Sequence, residues 1–82
     1  MEQQQVFEKV VGILKPFVKN QEAFANVALE TSILKDLKVN SARLVDVVLE
    51  IEDAFGIEVA DEEADKVRTV GDAVSLIVSR TH

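Results

Sequence analysis

Apolar residues recur at three- and four-residue intervals along most of this chain, and that period is helical. Val6, Phe7, Val10, Val11, Leu14, Phe17 and Val18 follow it, with Glu8, Lys9 and Lys15 between them, which predicts an amphipathic helix. Pro16 clashes with the backbone around Gly12 if the helix runs straight through, so the helix ends near Lys15 or kinks before Val18. From Lys19 to Asn40 the period loosens, with Asn20, Gln21, Asn26, Thr31 and Ser32 mixed among Phe24, Val27, Leu29, Ile33, Leu34 and Leu37. This stretch reads as a long loop pinned by apolar anchors, with room for a short helical turn near Gln21 to Ala25.

A second clear helix starts at Asn40 or Ser41, either of which is a good N-cap, and runs to Phe55. Leu44, Val48, Ile51 and Phe55 form its inward stripe, broadened by Val45, Val47 and Leu49, and Gly56 ends it in the left-handed conformation. Arg43, Asp46, Glu50 and Asp53 share the opposite, mostly acidic face. Ile57 and Val59 bring a connection back over the core, and Asp61 to Lys66 reads as a brief helix with acids in its first turn. The last helix has Thr69 as N-cap and Asp72 three residues on, a variant of the capping box, and buries Val70, Ala73, Val74, Ile77 and Val78. The expected fold is all-α, a small bundle of three main helices plus one short helix. No repeat, low-complexity tract or linker divides it, so residues 1–82 read as one domain.

Composition narrows the function. An apolar fraction of 48% with 29% charged residues and four Gly plus Pro is that of a folded domain. The absence of cysteine excludes disulfides and thiolate metal sites and fits a reducing compartment. Met1 is followed by Glu2-Gln3-Gln4-Gln5 rather than a signal peptide, and no apolar run reaches membrane-spanning length, so a cytoplasmic protein with no membrane insertion is expected. Fifteen acidic against nine basic residues give a formal charge of −6, which disfavours nucleic acid and favours partners with basic surfaces.

Ser41 is the candidate for chemistry, because a serine at a helix start offers its hydroxyl beside unpaired amides and a positive dipole end that favour a phosphate. The sole histidine is His82, so no base is at hand to make a nucleophile of it. Ser41 therefore reads as an acceptor of chemistry done by other proteins, although a serine at a helix start, taken alone, is more often only an N-cap. Asp61, Glu62, Glu63 and Asp65 lack the alternating ligands and central glycine of a calcium loop, and no metal site is expected. No acid–base pair suggests an enzyme.

The runs Ser32-Ile33-Leu34-Lys35-Asp36-Leu37, Asn40-Ser41, Val47 to Val59, Asp61 to Val67 and Thr69-Val70 together resemble the acyl carrier proteins over nearly the whole chain. The resemblance implies that Ser41 is the attachment site of a 4′-phosphopantetheine arm, added from coenzyme A by a phosphopantetheinyl transferase. It implies that the arm's thiol holds acyl groups as thioesters in fatty-acid, polyketide or related lipid biosynthesis. It further implies docking of acyl-transfer, synthase or ligase enzymes, through basic surfaces, on a monomer at Arg43, Asp46, Leu49, Glu50 and Asp53. Three positions depart from the family pattern: Asn40-Ser41-Ala42 stands where Asp-Ser-Leu is usual, Lys38 replaces a common glycine, and Arg43 is positive. These departures point to a specialised member. The alternative is an unmodified acidic interaction module of the same fold.

Overall fold

The computed structural model describes residues 2–81, so His82 lies outside the described residues. Among the described residues five α-helices occur, in the order α1 (Gln3–Leu14), α2 (Gln21–Ala25), α3 (Leu44–Phe55), α4 (Asp61–Ala64) and α5 (Val70–Thr81). The three long ones are those the periodicity predicts, and among the described residues there is no strand beyond an isolated bridge between Ser32 and Thr69. The core is built from Val6, Val10 and Leu14 of α1, Val47 and Ile51 of α3, and Val70, Ala73, Val74 and Ile77 of α5. Each set repeats at three- or four-residue spacing, so each helix turns one apolar stripe inward. Pro16 acts as expected: α1 ends at Leu14 and tightens into a 3-10 turn, Lys15–Phe17, from which Val18 is delivered to the core.

Three expectations need correction. The short helices number two among the described residues rather than one: the turn for which 19–40 left room forms as the helix Gln21–Ala25, capped by the Asn20 side chain, which accepts from the Ala23 N–H. The second main helix does not begin at Asn40 or Ser41; Ser41–Arg43 form a 3-10 turn and α3 starts at Leu44. Val45 and Leu49 do not broaden the inward stripe; they are 64% and 56% exposed. At 3.6 residues per turn a position two away from buried Val47 lies about 200° round the helix, on the far side.

The loop before Ser41 is held at both ends. Lys19 and Asn20 N–H groups both donate to the Leu37 carbonyl, and Val39 N–H donates to Ile33 O at 3.2 Å. Ile33 N–H reaches Arg68 O, and Val70 N–H reaches Thr31 O, each at 3.0 Å, which ties the loop to the start of α5. There Gly71 N–H donates to Leu29 O at 2.7 Å, and a Cβ on Gly71 would stand 2.8 Å from that oxygen, so only glycine fits. The Thr69 cap forms as the sequence predicts, with Asp72 N–H donating to Thr69 Oγ1 and Thr69 N–H to Asp72 Oδ2, both at 3.1 Å. The Thr69 and Arg68 N–H groups, both donating to Asp72 Oδ2, hold that carboxyl below the usual carboxylate range.

Lys38, in the place of the family's common glycine, has φ +59°, a left-handed conformation that costs a side-chain-bearing residue. Lys38→Gly is expected to raise stability by about 1 kcal/mol, the relieved strain being partly offset by glycine's extra freedom when unfolded. Urea titration of both proteins would test it, and equal or lower stability of the variant would show that the turn carries no strain.

Candidate functional site

Ser41 is presented by an alternation of buried and exposed residues in the segment before it. Leu37 and Val39 are buried, Lys38 and Asn40 face outward, and the chain then enters the 3-10 turn with Ser41 exposed. Full burial of an aliphatic side chain such as Leu37 stabilises by roughly 1.5–3 kcal/mol, so the approach is anchored immediately before the serine. Asn40, not Ser41, is the cap: its Oδ1 accepts from Ala42 N–H at 2.9 Å. The Ser41 hydroxyl makes no hydrogen bond to the described residues and is left free. An exposed, unengaged hydroxyl on an anchored turn is the geometry that attachment of a flexible phosphodiester arm needs, and the residues here fit that group.

The predicted docking residues divide between the two sides of α3. Leu49 and Val45 line a surface groove of about 370 Å³ together with Ser41, Val59, Asp61 and Asp65. Glu50 and Asp53 instead line a groove of about 480 Å³ against α1, with Lys9, Gly12 and Pro16. Arg43 and Asp46 are engaged with each other, Arg43 Nη1 to Asp46 Oδ2 at 3.0 Å, and the Arg43 guanidinium sits 5.3 Å from the centroid of the Phe17 ring. Phe55, assigned to the inward stripe, is half-buried with the Lys9 ammonium 5.5 Å from its ring centroid.

Asp61 and Asp65 are acids of this groove that periodicity reads only as partners of the α4 dipole. They reach it because the connection 57–60 folds back along α3: Glu52 Oε2 accepts from Val59 N–H at 2.8 Å. Arg80 of α5 then fixes α4, donating to Glu58 O at 2.8 Å and pairing with Glu63. That guanidinium, with the Ala60 N–H, holds the Glu63 carboxyl below its ordinary range. Beneath the groove an apolar void of about 10 Å³ opens between α1, α3 and α5. Leu44, Val48 and Val59 line both spaces and form the wall between them.

Comparison with known proteins gives concordant results. The family described as "phosphopantetheine attachment site" matches residues 6–77. The chain is 34% identical to an acyl carrier protein of Coprothermobacter proteolyticus over all of its own length and 98% of that protein. It is 39% identical to an acyl carrier protein of Lactobacillus acidophilus, covering 96% of each. The solved structure of the acyl carrier protein from Enterococcus faecalis superposes with a TM-score of 0.79 at 38% identity, covering 98% of this chain and 99% of that one. By fold and by sequence the chain belongs to the acyl carrier protein family: it is a carrier rather than an enzyme, and 4′-phosphopantetheine is the family's covalent prosthetic group.

Proposed function

We propose that Ser41 carries the phosphopantetheine arm and that the protein conveys acyl intermediates between enzymes of fatty-acid, polyketide or related lipid biosynthesis. The observation that supports this most is the free, exposed hydroxyl of Ser41, set on an anchored turn beside an apolar groove with an acidic rim. In the loading step the Ser41 oxygen bonds to the phosphorus that bears the pantetheine of coenzyme A. The pyrophosphate bond breaks, adenosine 3′,5′-bisphosphate leaves, and the hydroxyl proton passes to a base of the transferase. When bound, the arm supplies a thiol that holds acyl groups as thioesters.

This chain's residues orient and recognise. Val45 and Leu49 offer a small apolar contact, and Asp46, Glu50, Asp53, Asp61 and Asp65 steer basic partner surfaces into weak, fast association. The partners are a phosphopantetheinyl transferase and acyl-transfer, synthase or ligase enzymes, met by a monomer in the cytoplasm. No helix among the described residues is long and apolar enough to cross a membrane. An acyl chain entering from the groove would part Leu44, Val48 and Val59 and widen the small void behind them. Incubation with coenzyme A and a broad-specificity transferase, read by intact-protein mass spectrometry, tests the proposal. A gain by the native chain that Ser41→Ala lacks is expected, whereas no gain with several transferases would favour an unmodified interaction module.

A further inference from the structure

Arg43 is the one basic residue on the exposed face that α3 and its leading turn present, two positions from Ser41, and it is not a loose surface cation. The Phe17 ring and the Asp46 carboxylate fix its guanidinium, while its side chain remains 60% exposed. A guanidinium has five donors and the pairing with Asp46 engages one nitrogen of a side chain that is mostly exposed, so donors remain for a partner. The same pairing offsets part of the Asp46 charge. The charge around Ser41 therefore has a polarity: Asp61 and Asp65 on the α4 side of the groove, a held cation on the α1 side, and the acids Glu50 and Asp53 farther along α3.

A uniformly basic partner would meet Arg43 with like charge at the point nearest the serine, and like charges brought together at an interface are strongly penalised. We propose that Arg43 is a partner-selecting residue, and that the enzymes docking at Ser41 place a carboxylate opposite it, with cations opposite Asp61 and Asp65 and an apolar recess for Val45 and Leu49. The proposal rests on the reading of Ser41 as the attachment point. Arg43 acts by binding the partner and not by taking part in the transfer, so its effect falls on affinity and KM and leaves kcat nearly untouched.

The test is a charge swap with a phosphopantetheinyl transferase whose serine-facing rim carries an aspartate or glutamate. Affinity is measured by calorimetry on a Ser41→Ala background, where no modification occurs, and KM, kcat and mass gain on the Ser41 forms. Arg43→Asp is expected to weaken binding and raise KM about tenfold, with a smaller loss for Arg43→Lys, which keeps the charge but not the planar donors or the stack on Phe17. Exchanging the transferase carboxylate for arginine should restore Arg43→Asp and penalise the native chain. Arg43→Gln, which keeps the stem over Phe17, should show an intermediate loss, and circular-dichroism melting verifies that each variant is folded. Unchanged or tighter binding of Arg43→Asp to both transferases, with normal mass gain, overturns the inference and leaves the attachment reading standing. Charge-swapped binding with no mass gain on any Ser41 form does the reverse.

Discussion

Truncation of Ile51 to alanine is expected to destabilise the fold by about 2–5 kcal/mol, while the same change at Leu49, two residues away, should stay within about 0.5 kcal/mol. Ile51 is 5% exposed and lines the void between α1, α3 and α5, so its loss enlarges a cavity that neighbouring side chains fill poorly. Leu49 is 56% exposed on the opposite side of the same helix and leaves no hole. Urea unfolding followed by circular dichroism separates the two. Equal costs would mean that α3 is rotated from this packing and that the apolar contact beside Ser41 is misassigned.

Reversal of Asp46, Glu50 and Asp53 to lysine should weaken binding of a basic partner by about ten- to a hundredfold at low salt, the difference shrinking as ionic strength rises. Each reversal adds two positive charges, which takes the formal charge from −6 to zero and removes the long-range field as well as the local contacts. Far-UV circular dichroism should barely change, because Glu50 and Asp53 are exposed and Asp46 only half-buried. Glu50 and Asp53 carry the larger share, since the Asp46 carboxylate is already engaged by Arg43. Affinity that is unchanged across salt concentrations would remove this face from docking.

The three long helices, the Gly56 end of α3 and the Thr69–Asp72 cap were legible in the sequence because each rests on local spacing or local hydrogen bonding. Gly56 takes φ +64°, and Gly56 and Ile57 N–H groups both reach Glu52 O, as a glycine-ended helix requires. The side of α3 on which Val45 and Leu49 fall was not legible, because an almost continuous apolar run from Leu44 to Leu49 is compatible with more than one rotation. Val47 and Ile51 win because α1 packs on that side of α3 and both residues join the core that α1 and α5 build. Asn40 took the cap from Ser41, a contest that residue types alone leave even. Asp61 and Asp65 were legible as acids but not as neighbours of Ser41, since that depends on the long-range tie of Glu52 to Val59 and on Arg80 reaching α4. The serine itself is singled out by the ordered residues around it, not by its own type.

Peptide-level tandem mass spectrometry of the protein after loading from coenzyme A locates the arm, because the chain has four serines, Ser32, Ser41, Ser75 and Ser79, and only Ser41 is assigned it. The account predicts a single adduct on the fragment that contains Ser41. An adduct on any other residue, or a Ser41→Ala protein that still gains the mass, would contradict it.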